Sequence, residues 1–300
     1  MIYTVTFNPA LDYVMKVEKL RFDDINRTYG EELNYGGKGI NVSAVLSQLG
    51  VENTALGFKA GFTGEKLEQL LREDGINAEF IPLKSGMTRI NVKIRSETEL
   101  DINAYGPPID GGEVEKLFER LKTLSAGDVI VLAGSVPGTL PADIYERILS
   151  ITSQAGVEAV VDSTGELLLN VLKYHPFLIK PNNFELGDLF GVKVETEEEI
   201  VEYARRLQEK GARNVLVSRG KQGATLITET GDTHSIGIIP GKPKNSVGCG
   251  DSMVAGFVAG YIEKRDYAYA LKLGSACSNA TAFSYGLADK QGIEDAFQRL

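Results

Sequence analysis

The sequence predicts an α/β fold: a mainly parallel central sheet flanked by helices on both faces, with a small β-sheet lid. Three observations lead there. Short apolar runs such as "DVIVLAG", "EAVVDS" and "NVLVSRG" alternate with longer segments of helical periodicity, and strands apolar on both faces belong in sheets covered on both sides. The chain has 300 residues, enough for one large domain with its own core. The segments before Gly37 and around Arg89 instead alternate in short steps without a helical stripe, which suits a small sheet with one wet face.

In chain order, Ile2–Phe7 reads as the opening strand. "LDYVMKVEKL" (Leu11–Leu20), "RTYGEELNYGG" (Arg27–Gly37), "RINVKIRS" (Arg89–Ser96) and "ELDINAY" (Glu99–Tyr105) supply the small sheet. Within it Asn91, Lys93 and Arg95 alternate with Ile90, Val92 and Ile94. The lid therefore falls at roughly 11–37 and 88–106 of a single domain spanning 1–300. A helix runs from Gly39 to Leu49 and stops at Gly50, and another, "TGEKLEQLLREDG", starts at a Thr63 cap and ends in Gly75. Beyond them, "DIYERILSITSQ", "GELLLNVLK" and "TEEEIVEYARRLQEKG" are helices, and "PFLIKPN" joins the apolar strands. "LITETGDTHSIGII" is a hairpin around Gly231-Asp232. Three helices follow, led by one starting at Asp251.

Composition excludes several functions. A net charge of −9 argues against nucleic acid, whose binding needs a basic face to displace counterions. Two cysteines, Cys249 and Cys277, and two histidines, His175 and His234, offer no spacing for a zinc or histidine metal site. No apolar run approaches the ~20 residues of a membrane span, and "MIYTVTFNPALD" lacks the features of a signal peptide. The expectation is a reduced, cytoplasmic protein with no membrane partner. Small anions remain possible ligands, held by a few placed cations, backbone N–H groups and a divalent metal. The 33 glycines cluster at junctions, where backbone can approach a ligand.

Ligands of open parallel sheets sit outside the carboxyl ends of the strands, and four motifs fall at such ends. "GGKGIN" (Gly36–Asn41) opens a helix with a glycine loop and one cation, Lys38. It is not a Walker A loop, and "GCGDSM" does not fit the dinucleotide pattern, because Met253 stands where the third glycine belongs. Both an anion loop and a plain helix start fit "GGKGIN". "KPNNFEL" (Lys180–Leu186) places Asn182 and Glu185 where they suit hydrated Mg²⁺, although on this motif alone a capping box is the stronger reading. "VSRGKQGA" carries Ser218, Gly220 and Gly223 in a loop of nucleotide-binding shape, with Arg219 and Lys221 read as solvated. "NSVGCGDSMVAGFVAG" (Asn245–Gly260) puts Gly248, Cys249, Gly250 and Asp251 at the positive end of an apolar helix. Free N–H groups there make an anion cradle, and Asp251 is placed to take a proton from an attacking hydroxyl. Phosphoryl transfer asks for charge neutralisation, in-line placement and one base. Cys249 reads as a small residue that fits, since it has no matched histidine.

"GGKGIN", "KPNNFEL" and "NSVGCGDSMVAGFVAG", in this order and spacing, resemble the ribokinase-like carbohydrate kinase family over essentially the whole chain. "TVTFNPALD" and "TRIN" (Thr88–Asn91) are similar to its phosphosugar branch, the 1-phosphofructokinases above all, with tagatose-6-phosphate kinases alike. The resemblance implies ATP- and Mg²⁺-dependent transfer to a sugar hydroxyl, with the C6 hydroxyl of fructose 1-phosphate favoured. It implies Asp251 as general base and the N–H groups of Gly248, Cys249 and Gly250 as cradle for the moving phosphoryl. Asn182 and Glu185 would organise Mg²⁺ and the triphosphate, with Lys180 near the phosphates. Ser218, Gly220 and Gly223 would line the nucleotide, and Asn279 would sit near adenine. Asp12 would accept from sugar hydroxyls beside Gly37 and Asn41, while Lys38 and Arg89 would hold the substrate's phosphate. Arg27 would add a third cation across a homodimer formed through the lids, which also close the site against water.

Overall fold

β1 (Ile2–Thr6) lies inside a nine-stranded sheet in the computed structural model, which describes residues 1–300. The chain passes through Phe7, Asn8 and Pro9 straight into β2 (Ala10–Lys16) of a second sheet, returns on β3 (Gly30–Gly36) and enters α1 (Lys38–Gln48). It rejoins the main sheet as β4 (Asn53–Lys59) and crosses over α2 (Gly61–Glu73) to the edge strand β5 (Ala78–Pro82). β6 (Arg89–Arg95) and β7 (Glu99–Ile102) then complete the small sheet, in the order β3-β2-β6-β7. β2 is antiparallel to β3 and parallel to β6.

After α3 (Gly111–Leu121) the main sheet grows on the other side of β1. β8 (Val129–Ala133), α4 (Ile144–Thr152), β9 (Glu158–Asp162) and α5 (Gly165–Val171) come first. β10 (Leu178–Ile179), α6 (Asn183–Phe190), α7 (Glu197–Glu209) and β11 (Asn214–Ser218) follow. These strands are all parallel, while β12 (Ala224–Ile227) and β13 (Thr233–Ile236) close the far edge as the expected antiparallel hairpin. α8 (Cys249–Lys264), α9 (Tyr267–Phe283) and α10 (Lys290–Arg299) end the chain. Because growth reverses at β1, a crevice opens between β1 and β8 at the carboxyl ends of the strands.

Alternation within the strands fills both faces. Ile130 and Leu132 of β8 join the core under α3, α4, α5 and α7, whereas Val129 and Val131 join the core under α1, α8, α9 and α10. The two cores contain 33 and 29 buried residues, so neither face of the sheet is left to water.

Local details depart from the sequence reading for physical reasons. β4, β5 and α3 were not expected. Gly57 interrupts the apolar run of β4, yet a Cβ there would come within 2.3 Å of the Thr6 carbonyl oxygen, so the glycine permits close strand contact. α2 starts at Gly61, and Thr63 is buried within its first turn instead of capping it. α8 begins at Cys249 with Gly248 as its N-cap at φ 81°, which makes Asp251 the third helical residue. Arg219 is not solvated: its side chain packs down and pairs with Glu197 at 3.5 Å.

α8 and α9 approach so closely that glycine is required at the crossing. A Cβ on Gly256 would lie 2.7 Å from both the Cys277 Sγ and the Leu273 carbonyl oxygen, and 2.8 Å from the Gly274 Cα. Overpacking of this kind costs about 1–3 kcal/mol. Gly256→Ala is therefore expected to lower the thermal unfolding midpoint by several degrees, read by calorimetry.

Candidate active site

Two glycine-bearing helix starts meet at the crevice. At α1, a Cβ on Gly39 would fall 2.4 Å from the Thr6 Oγ1 and 2.8 Å from the Val5 carbonyl oxygen, so only glycine lets the helix seat against the end of β1. That seating points Lys38 and Asn41, one turn apart, into a cavity of ≈ 460 Å³. At α8 no side chain caps the helix, which leaves its first N–H groups free for a ligand. Asn41 Nδ2 donates to Asp251 Oδ2 at 2.8 Å, joining residues 210 apart in sequence.

Asp251 is almost wholly buried, at 5% exposure. Burial pushes its carboxyl up to about 6, and the charge of Asp162 pushes the same way, while the Asn41 hydrogen bond, Lys38 and Lys180 oppose them. Asp162 was absent from the sequence reading. It closes β9 and pairs with Lys38 Nζ at 3.4 Å through Oδ2 and with Lys180 Nζ at 3.4 Å through Oδ1. The only available signal was an acid ending the apolar run "EAVVD". Burial alone would lower the Lys38 ammonium, but Asp162, Asp251 and Glu185 outweigh it and raise its proton affinity.

The small sheet forms the opposite wall. Asp12, Arg89, Asn91 and Lys93 line the same cavity as Asp251 and Gly250. Asp12 is fixed by Lys93 Nζ at 2.8 Å and by Asn91 Nδ2 at 2.8 Å, a pair of partners that sequence reasoning did not assign. A Cβ on Gly36 would meet the Asp12 carboxylate at 2.8 Å, so that glycine makes room for it. Arg89 is half-buried, with Nε donating to the Asn8 carbonyl oxygen at 3.1 Å. It also borders a second cavity of ≈ 700 Å³, together with Gly37, Lys38, Asn8, Ser135, Asp162 and Ser163. Ser135, which follows β8, is a further lining residue the sequence did not single out.

Other expected residues are placed differently. Asn182 Oδ1 accepts from the Phe184 and Glu185 N–H groups, and Glu185 Oε2 accepts from the Asn182 N–H, a complete capping box. The Asn182 oxygen is thereby spent, which removes it as a metal ligand and leaves its NH₂ as a donor; Glu185 keeps Oε1. Both residues line the smaller cavity, as do Lys180, Ser218 and Gly248. Gly223 faces the neighbouring strand: a Cβ there would sit 1.9 Å from the Ile236 carbonyl oxygen. Gly220, in the turn after β11, borders neither cavity. Asn279 is buried in α9, accepting from the Ile239 N–H at 2.9 Å and donating to the Ser275 carbonyl oxygen at 2.8 Å, so it ties backbone together away from both cavities. Arg27 is exposed in the segment between β2 and β3 and reaches neither cavity of its own chain. Burial and then Asp251 push the Cys249 thiol up to about 11, which suits a small neutral residue within the loop.

The "pfkB family carbohydrate kinase" description matches residues 5–293. The chain is 42% identical over 300 residues to a 1-phosphofructokinase of Bacillus subtilis (strain 168), covering 100% of this chain and 97% of that one. It is 36% identical over 301 residues to a D-tagatose-1-phosphate kinase of Bacillus licheniformis, covering 100% and 98%. Among solved structures, phosphofructokinase-2 from Escherichia coli in complex with fructose-6-phosphate superposes with a TM-score of 0.92 at 26% identity, covering 99% of this chain and 98% of that one.

A buried carboxyl with raised proton affinity has a signed effect on stability. Its contribution is present below the ordinary carboxyl value and is lost as pH rises through about 6. Asp251→Asn, which mimics the protonated form, should be more stable than the native chain at pH 8 by up to about 3 kcal/mol. Urea unfolding should show the gap narrowing as pH falls through that range.

Proposed function

The chain belongs to the pfkB family of carbohydrate kinases, and from that premise we propose that it phosphorylates the C6 hydroxyl of fructose 1-phosphate, giving fructose 1,6-bisphosphate. It is a phosphotransferase with an alcohol acceptor and uses ATP. The observation that carries the substrate reading is one cavity bounded both by Asp12 and Arg89 of the small sheet and by Gly250 and Asp251 of α8. A hydroxyl held on the first wall faces a base and free N–H groups on the second.

Each side chain then has a role that its partners support. Asn41 holds one oxygen of Asp251, leaving Oδ1 to receive the acceptor's proton. Burial keeps that carboxyl's affinity near the middle of the working pH range, where a general base is most effective. The N–H groups of Gly248, Cys249 and Gly250, with Lys38 and Lys180, neutralise phosphoryl charge without reorganising. Asp12, anchored by Lys93 and Asn91, accepts from sugar hydroxyls, and the guanidinium of Arg89 suits the phosphate dianion the substrate already carries. ATP would supply the γ-phosphoryl when bound, and Mg²⁺ held at Glu185 would shield its charge. The fit to Mg²⁺ rests on Glu185, whose free oxygen suits an ion that keeps most of its waters. Ser218 and the turn at Gly220 would flank the nucleotide.

The small sheet is read as a lid over this cavity. Phe22, Ile25 and Tyr29 on its outer segment, and Tyr105 beyond β7, are exposed, which favours a second copy covering them and would bring Arg27 to a neighbouring site. No helix is long and apolar enough to cross a membrane, and both cysteines are free, in keeping with a cytoplasmic enzyme. The alternative substrate supported by a relative is tagatose 1-phosphate, in preference to tagatose 6-phosphate; fructose 6-phosphate is the third choice.

A coupled assay of ADP release over fructose 1-phosphate, tagatose 1-phosphate, fructose 6-phosphate and free fructose tests the proposal. Fructose 1-phosphate should give the highest kcat/KM; a preference for the free sugar would sink it. kcat/KM should fall on the acid side with a midpoint near about 6, as Asp251 takes up a proton. Asp251→Asn should lower kcat by about 10²–10⁴-fold while ATP binding, measured by calorimetry, persists. Arg89→Ala should raise KM for ketose phosphates at least ~10-fold and leave the residual rate on free fructose unchanged.

A further inference from the structure

We infer that Asp162 is a positioning residue of this site, gathering Lys38 and Lys180 beneath the cavity and setting the charge that Asp251 meets. The carboxylate is 2% exposed and stands at the last position of β9. Its two oxygens serve two ammonium groups from different elements: Oδ2 the Lys38 at the start of α1, Oδ1 the Lys180 that follows β10. Each lysine has Asp162 as its one ion-pair partner within 4.0 Å.

Lys180 is fixed from a second side as well. A Cβ on Gly250 would lie 3.2 Å from its Nζ, so the ammonium sits directly under the first turn of α8. Without Asp162 nothing on the β9 side would hold it there. Without that carboxylate Lys38, 43% exposed, would be free to swing into solvent. An unpaired buried ammonium is strongly unfavourable, so Lys180, 6% exposed, would turn toward other anions. Those on offer in the same cavity are Asp12, Glu185 and Asp251 itself.

Asp162 is not placed to be the base, because both of its oxygens face ammonium groups. Asp251 has only the Asn41 amide on Oδ2. The division of labour follows from environment: one carboxylate organises cations, the other stays available for a proton. The groups facing Asp251 are Asn41 and Lys38 from α1, Asp162 from β9, Lys180 after β10 and Cys249 on its own helix. Asp12, Arg89, Lys93 and Glu185 border the cavity from the lid and α6.

This inference rests on the kinase reading only for its turnover arm, and the test separates the two. The carboxyl of Asp251 is titrated by ¹³C NMR on the full chain without substrate, in native protein, Asp162→Asn and Asp162→Glu. Removing a negative neighbour should move the Asp251 midpoint down by about one pH unit or more, and the acid limb of kcat/KM should move with it. kcat on fructose 1-phosphate should fall on the order of 10²-fold as the lysines lose their placement. Asp162→Glu keeps the charge and should hold the midpoint near the native one while still losing turnover, a split that a merely structural role would not produce. An unchanged Asp251 midpoint in Asp162→Asn overturns the inference. If that variant does not fold, Asp162→Glu decides alone, and native turnover in it overturns the inference. Should the native chain phosphorylate no ketose phosphate, the proposed function fails while the titration still decides the role of Asp162.

Discussion

Two buried carboxylates, one buried ammonium group and one partly exposed ammonium group form a single cluster, and the fold must keep them in register. Asp251 is the most constrained of the four. Its position on α8 and its amide partner on α1 come from opposite ends of the chain, so the bond between Asn41 and Asp251 exists only if the whole domain is closed. Burial of such groups without partners is unfavourable by several kcal/mol. The cluster is tolerable because the formal charges of Lys38 and Lys180 balance those of Asp162 and Asp251 before any ligand arrives. Reactivity and stability therefore pull in opposite directions at Asp251, as is common at sites that store free energy for chemistry.

Glycine is what lets the elements approach closely enough. Gly39 against Thr6, Gly36 against Asp12, Gly250 against Lys180 and Gly256 against α9 each occupy a point where a methyl group would displace either backbone or a charged group. The apolar helix α8 is thus held between α1 and α9 with little freedom to slide, and its uncapped N-terminus is fixed at the cavity. The lid wall is tuned differently. Asp12 is steered by side chains of its own sheet, Lys93 and Asn91, so its orientation is set independently of the α8 wall.

Much of this was legible in the residues. Apolar runs of four or five residues announced β8, β9 and β11, and the glycine-flanked acid at the start of α8 announced a carboxyl at the cavity. Asp12, Lys38, Asn41, Arg89 and Asp251 come together in one cavity as the motifs implied. What stayed hidden depended on contacts distant in sequence. Asp162 looks like any acid that ends a strand until its two lysines are seen. Asn182 and Glu185 carried both a capping and a ligand reading, and the geometry spends the amide oxygen on the cap. Asn279 and Gly223 were expected at the nucleotide from the family resemblance; in the fold one braces the backbone at Ile239 and the other admits a neighbouring strand. β4 was missed because Gly57 breaks its apolar pattern for the sake of Thr6.

Only Phe7, Asn8 and Pro9 separate β1 of the large sheet from the strand that carries Asp12. A connector that short cannot absorb a tilt of the small sheet, so any rocking of the recognition wall is delivered to Thr6, on which α1 rests. Insertions or deletions there would uncouple the two walls. The long excursion between β2 and β3 is tied to no strand of the large sheet, so a shift within it would leave the two walls in step.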